Sequence, residues 1–175
     1  MPRKFRTEDV SLWKTDVSAG EEILLSGTIY TARDAAHKRI LAAIREGKPL
    51  PFPLENAIIY YAGPTPETQD MPAGSFGPTT SSRMDPYLPL LTEMGLAATI
   101  GKGDRSDEVY RALSRGKAAY LAAIGGAGAL YARCVKSISV IAFEDLGCES
   151  VKRIEIEDFP VYVAIDANGN SIFKR

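Results

Sequence analysis

The sequence has few of the side chains that build metal and redox sites. Among its 175 residues, Cys134 and Cys148 are the only cysteines and His37 is the only histidine. Two cysteines are too few for a disulfide scaffold and, within this chain, for a four-cysteine zinc or iron–sulfur site. One histidine likewise excludes a multi-histidine metal site that this chain builds alone.

Long apolar segments and an excess of positive charge are also missing. The longest uncharged run, residues 118–132, is shorter than the roughly 20 residues that span a membrane. The starting segment MPRKFRTED lacks the apolar stretch of a signal peptide, which favours a cytoplasmic protein with reduced thiols. The 21 Lys and Arg and 22 Asp and Glu residues give a net charge of −1, so the composition indicates no nucleic-acid partner. Any anion site must come from a local cluster of cations.

Strand-like and helix-like segments alternate along the chain, which predicts an α/β fold. Apolar runs typical of strands occupy residues 23–30, 57–61, 96–100, 118–124, 139–143, 151–156 and 161–165, with a short return strand at 172–173 after the Asn168-Gly169 turn. Helical spacing predicts helices over about 31–47, 87–94, 106–115 and 129–135. Because the C-terminal third is mainly strand, we expect a layered α/β domain with a mixed sheet. This single domain covers residues 21–175 and follows an N-terminal extension of residues 1–20.

Three polar segments follow predicted strands, and each contains a cation among small residues. Arg33 lies in the first segment, Arg83 in the second and Lys102 in the third. Ligands of α/β proteins bind outside the carboxyl ends of strands, and the arginine fork suits carboxylates. The three segments together therefore predict a convergent anion site. The loop at 62–86, which carries Arg83 and five prolines, is long enough to favour a functional role.

Each segment taken singly is also compatible with an ordinary structural role. Arg33 could pair with Asp34 or another nearby acid on a surface helix, and the hydroxyls of residues 79–82 could bond their own backbone in a turn. We expect His37, three residues after Asp34 on one helix, to be a structural partner and not a base. Both cysteines are expected to be inert, because no basic cluster adjoins them.

Five motifs occur in order along the chain. They are GTIYTARDAAHKR (27–39), IYYAGP (59–64), GPTTSSRMD (77–85), GKGDRS (101–106) and GGAGAL (125–130). Over roughly residues 20–167, this set resembles the C-terminal half, or separate β subunit, of the class I iron–sulfur fumarases and L-tartrate dehydratases. The short chain favours the two-subunit form.

The resemblance implies a swivelling β/β/α domain in a hydro-lyase that interconverts fumarate and L-malate. It also implies a [4Fe–4S] cluster that acts as a Lewis acid on the substrate hydroxyl. A partner α subunit would bind this cluster, because the family's cluster cysteines lie in the other half of the enzyme. The expected assembly is a hetero-oligomer such as α2β2, with the dicarboxylate site at the subunit interface.

The resemblance further implies roles for individual residues. Thr79 corresponds to the proposed general base at C3 of the substrate, and Lys102 to a catalytic residue that faces the substrate. Four residues would bind the substrate: Arg33, Arg83, Thr80 and Ser106. Two arginines and a lysine would balance two carboxylates and stabilise the aci-carboxylate that forms when the C3 proton leaves. A threonine hydroxyl is a poor base unless it is deprotonated, and the sequence does not show what activates it.

Three functional hypotheses stay open at this point. The first is the β subunit of a fumarate hydratase, and the second is the same chemistry on L-tartrate, which gives oxaloacetate. One hydroxyl separates malate from tartrate, and no residue in the sequence decides between them. The third is a stand-alone dicarboxylate-binding module without catalysis, which would bind fumarate or malate tightly in the absence of a partner.

Overall fold

A computed structural model describes residues 1–174, which form one mixed sheet and five α-helices. The strands are β1 (Arg3–Arg6), β2 (Glu22–Thr31), β3 (Ile58–Tyr60), β4 (Ala98–Gly101), β5 (Ala119–Ala122), β6 (Val135–Ala142) and β7 (Val151–Ile165). The helices are α1 (Val10–Trp13), α2 (Asp34–Glu46), α3 (Leu88–Glu93), α4 (Asp107–Gly116) and α5 (Gly128–Arg133). Three short 3₁₀ turns occupy Thr7–Asp9, Ser81–Met84 and Glu144–Glu149 within these residues. The predicted α/β class is confirmed.

The sheet combines parallel and antiparallel strands in the order β1-β2-β3-β4-β5-β7-β6. Strands β1 to β5 are parallel to their neighbours, whereas β7 is antiparallel to β2, β5 and β6. Because β7 pairs with both β2 and β5, the strands β2, β3, β4, β5 and β7 form a closed circuit of hydrogen-bonded neighbours. The carboxyl ends of β2 to β5 consequently lie at one edge.

Alternate side chains of the parallel strands pack into two separate cores. In β3, Ile58 and Tyr60 pack into the core shared with β7, and Ile59 packs into the core shared with the helices. The β7 side chains of the first core are Ile154, Ile156, Phe159, Val161 and Val163. The helix side chains of the second core include Ala36, Ile40, Leu41, Leu88, Leu91, Val109 and Leu113. Antiparallel strands, parallel strands and helices therefore stack as the predicted β/β/α layers.

Residues 1–20, which the sequence separates as an extension, belong to the same sheet and core. The strand β1 pairs in parallel with the first half of β2. Val10, Trp13 and Val17 are buried in the core shared with β7, and the Trp13 indole N–H donates to the Arg6 carbonyl at 2.9 Å. The sequence RKFR does not show the apolar pattern of a strand. The reason is that β1 lies at an edge of the sheet and leaves most of its side chains exposed.

The C-terminal strands differ from the prediction at their boundaries. Residues 151–156 and 161–165 were predicted as two strands, but they belong to one continuous strand, β7. Asp158 and Pro160 interrupt the apolar pattern, and Asp158 has a positive φ of 49°. The strand continues through them because β2 pairs with it on both sides of this point. The strand β6 likewise begins at Val135 instead of residue 139, since its first residues pair with β7.

The end of the described chain forms a turn without a further strand. The predicted turn at Asn168-Gly169 is confirmed, because the Gly169 N–H donates to the Asp166 carbonyl at 3.0 Å. The predicted return strand at 172–173 is wrong: Ile165 and Ser171 form an isolated bridge there. Among residues 1–174, no helix combines the length and apolar character that crossing a membrane requires.

Candidate functional site

The motif segments meet at the carboxyl edge of β2 to β5. Arg33 lies two residues after β2, Lys102 immediately after β4, and the loop 125–128 follows β5. The long segment after β3 runs along the same edge, where the Phe76 N–H donates to the Gly128 carbonyl at 3.0 Å. The fold therefore brings segments that are far apart in sequence into contact, at the place where open α/β sheets bind ligands.

Arg33 occupies the N-cap position of α2, where its guanidinium has one distant carboxylate neighbour. The Glu149 Oε1 lies 3.8 Å from the Arg33 Nε, which is too far for a hydrogen bond. This Nε is buried and has no hydrogen-bond partner among residues 1–174. A buried donor without an acceptor costs roughly 1–3 kcal/mol, so Arg33 is suited to receive an anion.

Gly63 permits the close approach of the Arg33 side chain to the segment after β3. A Cβ atom at Gly63 would lie 2.8 Å from the Cys148 carbonyl oxygen and 3.4 Å from the Arg33 Nη1. The first distance is shorter than any normal contact, so a side chain at this position would displace the turn that carries Glu149. A glycine in the motif IYYAGP is therefore required by packing beside the candidate site.

Arg83 lies in the turn Ser81–Met84 and forms an ion pair with Asp34, the first residue of α2. The Arg83 side chain is 51% exposed. Asp34 thus pairs with Arg83, and the acid near Arg33 is Glu149 instead of Asp34. The ion pair joins the segments that carry the two arginines, and it shows that the Arg83 guanidinium can hold a carboxylate at this edge.

Lys102 is exposed beside the glycine-rich loop and forms no salt bridge within residues 1–174. A Cβ atom at Gly125 would lie 3.8 Å from the Lys102 Nζ. The Lys102 carbonyl accepts a hydrogen bond from the Ser81 N–H at 2.9 Å, and Thr80 pairs with Lys102 in an isolated parallel bridge. Lys102 and Thr80 therefore share one edge of the site, where the ammonium group is available to an anion.

Gly101 allows the turn that carries Arg83 to pack directly on β4. A Cβ atom at Gly101 would lie 1.9 Å from the Ser81 Oγ and 2.9 Å from the Tyr61 Cδ2. Because neither distance is compatible with a side chain, the first glycine of the motif GKGDRS has a packing role. It sets the distance between the Lys102 segment and the Ser81–Met84 turn.

Thr79 is held at the end of β3, where its N–H donates to the Tyr61 carbonyl at 2.7 Å. The residue is half-buried, and its hydroxyl has no hydrogen-bond partner in the part of the chain that the structure describes. This part of the chain therefore fixes the backbone of Thr79 next to the end of β3 but gives its hydroxyl no hydrogen-bond partner.

Ser106 has a structural contact at the start of α4. Its Oγ accepts a hydrogen bond from the Val109 N–H at 3.4 Å, and its own N–H donates to the Asp85 Oδ2 at 2.8 Å. A serine at the N-cap satisfies one of the free N–H groups of the first helical turn. Substrate binding by Ser106, which the resemblance implies, would have to use the hydroxyl that caps α4.

His37 lies inside the second core, where its ring packs against Tyr87 and Tyr61. Its Nδ1 is 2.8 Å from the Arg33 carbonyl oxygen, which can only accept, so Nδ1 carries the proton. The Nε2 is buried and has no partner within residues 1–174. Burial lowers the pKa of His37 to about 4. His37 is thus a neutral residue that holds the backbone of Arg33, which is a structural role, and no hydrogen bond joins it to Asp34 within residues 1–174.

Lowering the pH is expected to destabilise the protein through His37. Between pH 6.5 and about 4, the unfolded histidine binds a proton that the folded one excludes, so stability falls as the pH falls. We expect the free energy of unfolding to decrease by about 2 kcal/mol more between pH 7 and pH 5 in the wild type than in His37→Gln, which does not titrate. Urea unfolding of both proteins at these two pH values measures the difference. An identical pH slope in the two would contradict the neutral, buried assignment.

A buried ion pair next to the site was not predicted from the sequence. The Arg105 Nε donates to the Asp85 Oδ1 at 2.6 Å, and the Arg105 side chain is 0% exposed. Lys152 was also missed: its buried ammonium lies within 3.4 Å of the carbonyls of Gly147, Cys148 and Ser150. Arg105 lies inside the motif GKGDRS, which was its only signal in the sequence. Lys152 lies in β7, outside the five motifs, and no sequence signal indicated its burial.

The two cysteines do not form a metal site with other residues. Cys134 is half-buried, and its Sγ lies 3.6 Å from the Leu130 carbonyl oxygen; burial raises the pKa of its thiol. Cys148 is exposed. Within residues 1–174, no group of three His, Cys, Asp or Glu side chains is arranged to hold a metal ion. The donor set of this chain therefore does not fit a [4Fe–4S] cluster, and no reaction step is assigned to such a group.

The fold and the site together define an α/β domain with cationic side chains at the carboxyl edge of its parallel strands. A family model described as "Fumarase C-terminus" matches residues 4–175. The chain belongs to this family, and the family resemblance of its motifs is confirmed.

Relatives of two architectures are similar to this chain. Fumarate hydratase 1, mitochondrial, of Leishmania major is 41% identical over 86% of this chain. The anaerobic class I fumarate hydratase of Escherichia coli (strain K12) is 40% identical over 86% of it. In both cases the match spans 28% of the relative's own length. The putative L(+)-tartrate dehydratase subunit beta of Methanocaldococcus jannaschii is 38% identical over 94% of this chain and 89% of its own length.

Proposed function

We propose that this chain is the β subunit of an iron–sulfur-dependent fumarate hydratase, active only with an α subunit. The enzyme would be a hydro-lyase that adds water to fumarate to give L-malate. The observation that carries the proposal is the meeting of Arg33, Arg83 and Lys102 at one sheet edge in a member of the fumarase C-terminus family. The α subunit would bind the [4Fe–4S] cluster, and an α2β2 assembly would place the site between subunits.

The two arginines of this chain would bind the two carboxylates of the substrate. Arg33 offers a buried Nε without a partner among residues 1–174, and Arg83 holds the carboxylate of Asp34. A substrate carboxylate would therefore pair with Arg33 directly and would compete with Asp34 for Arg83. Bidentate arginine contacts of this kind fix the orientation of a planar dicarboxylate.

Lys102 and Thr79 would act at the reacting carbons. In the dehydration direction, the Thr79 Oγ1 would accept the C3 proton, and the electron pair would move into the adjacent carboxylate. The exposed ammonium of Lys102, beside the glycine-rich loop, supports the role of stabilising that aci-carboxylate. Because the Thr79 hydroxyl has no hydrogen-bond partner within residues 1–174, the group that activates it would come from the α subunit or the substrate complex. Thr80, beside Lys102, and Ser106 would complete the binding surface.

L-Tartrate is the second candidate substrate. The putative tartrate dehydratase subunit beta is matched over 89% of its length at 38% identity, and the two fumarate hydratases over 28% of theirs at 40–41%. These identities are too similar to choose between the two substrates. L-Malate and L-tartrate are both dicarboxylates with a hydroxyl on the carbon next to the one that loses its proton, so the same cations would serve the dehydration of either.

An anaerobic assay of this chain, alone and co-expressed with its candidate α subunit, tests the proposal. L-Malate, fumarate and L-tartrate are the substrates, and iron content is measured on the same samples. We expect activity in the complex only, with one substrate preferred. Tight fumarate binding by the isolated chain, measured by calorimetry, would instead favour the stand-alone binding module. A complex with an intact cluster but no activity on any of the three substrates would contradict the proposal.

A further inference from the structure

The buried pair of Arg105 and Asp85 lies directly beneath the two loops that present Arg83 and Lys102. Resting on the proposed function, we propose that Arg105 and Asp85 are positioning residues that fix these two loops relative to each other, so that both substrate-binding cations adopt their working positions together. Arg83 lies two residues before Asp85, and Lys102 lies three residues before Arg105. The ion pair therefore joins the two loops within three residues of their cationic side chains.

The contacts of Arg105 show that it is committed to the protein interior. Besides the bond from Nε to Asp85, Nη1 donates to the Thr99 Oγ1 at 3.2 Å and Nη2 donates to the Tyr61 hydroxyl at 3.2 Å. The guanidinium carbon lies 4.7 Å from the ring centre of Tyr120 and 5.3 Å from that of Tyr61. With its side chain fully buried, Arg105 cannot reach a substrate at the edge. Its charge therefore stabilises the contact between the two loops and does not bind the ligand.

Asp85 connects the same elements through its second oxygen. The Oδ1 accepts from Arg105, and the Oδ2 accepts from the Ser106 N–H at 2.8 Å. One carboxylate of the Arg83 loop therefore holds both the side chain and the backbone of the Lys102 loop. Because a buried carboxylate with charged and backbone donors has few alternative arrangements, this contact favours a single loop geometry.

A second set of hydrogen-bond contacts between the two loops lies beside the ion pair. The Tyr120 hydroxyl is 2.8 Å from the Ser81 Oγ in the Arg83 loop and 2.7 Å from the carbonyl of Gly103 in the Lys102 loop. The tyrosine comes from β5 and is buried, so it anchors both loops to the sheet. The ion pair and Tyr120 together form a buried polar cluster that the proposed reaction does not use directly.

Variants of the pair in the complex with the α subunit separate positioning from folding. Asp85→Asn keeps the shape but removes the charge that Arg105 requires. We expect it to raise KM and lower kcat, with a combined loss in kcat/KM on the order of 10²-fold. The matched control is Asp145→Asn, which removes the partner of the exposed Arg39 and should change kcat/KM less than twofold.

A double variant, Arg105→Met with Asp85→Leu, provides the decisive readout. Apolar residues of similar volume can replace a buried ion pair without loss of stability, but they cannot hold the Ser106 N–H. We expect the double variant to regain the melting temperature of the wild type without regaining kcat/KM. Recovery of both would show that the pair serves folding alone and would overturn the inference, as would wild-type kcat/KM in Asp85→Asn.

Tyr120→Phe decides the case if neither pair variant folds. It removes the bridge between Ser81 and Gly103 and leaves the ion pair intact. A several-fold loss in kcat/KM at an unchanged melting temperature would support loop positioning, and unchanged kcat/KM would overturn it. If the wild-type complex is active and the variants keep its kcat/KM, only this inference is contradicted. A wild-type complex without hydro-lyase activity defeats the proposed function and the inference together.

Discussion

Replacing Arg33 with methionine is expected to reduce kcat/KM of the complex by about 10²–10³-fold, which corresponds to roughly 3–4 kcal/mol of transition-state stabilisation. The Arg33 Nε is already buried and lacks a partner among residues 1–174, so its desolvation has occurred before the substrate binds. In the variant, a substrate carboxylate would lose its own hydration without gaining a charged partner. Steady-state kinetics with L-malate or L-tartrate measures the change, and KM should rise together with the fall in kcat.

Arg39→Met is the matched control for this variant. Arg39 lies on the same helix α2 and also pairs with the turn that carries Glu149, through an ion pair with Asp145 of 2.6 Å. Because this pair is exposed and includes none of the proposed substrate-binding residues, its loss should change kcat/KM less than twofold. Equal changes in kcat/KM in Arg33→Met and Arg39→Met would show that Arg33 contributes no more to activity than an exposed arginine of α2. That result would remove Arg33 from the site.

Lys102→Met is expected to lower kcat by about 10²–10³-fold with a smaller effect on KM. If Lys102 stabilises the aci-carboxylate, its contact is stronger in the transition state than with the bound substrate, and such contacts appear in kcat. Lys102→Arg should recover only part of the rate, because a planar guanidinium cannot replace a compact ammonium group beside Gly125. Steady-state kinetics and a melting curve for each variant complete the measurement.

Lys38→Met controls for the loss of one exposed positive charge. Lys38 is an exposed lysine of α2 that, like Lys102, forms no salt bridge within residues 1–174. Its replacement should leave both kinetic constants unchanged. A Lys102→Met complex that keeps wild-type kcat but binds substrate more weakly would limit Lys102 to ground-state binding and reject its catalytic role.

Packing explains why several predictions from sequence needed correction. The strand β7 was divided at Asp158 because local patterns cannot show that β2 pairs along both halves. Residues 1–20 were separated as an extension because they are polar and mixed in charge, yet β1 pairs with β2 and Trp13 is buried in the core. In both cases a contact between distant segments outweighed the local pattern, and such contacts are not encoded in residue spacing.

Local periodicity, turn residues and ordered motifs were enough to predict the α/β class, most element positions, the family and the three cation-bearing segments. Three features became visible in the folded chain alone: Arg83 pairs with Asp34, the Arg33 Nε is buried without a partner among residues 1–174, and Arg105 is buried against Asp85. They could not be predicted because burial and charge pairing depend on which segments the closed circuit of strands brings to one edge. A charged residue looks the same in sequence whether it faces water, a substrate or a second buried charge.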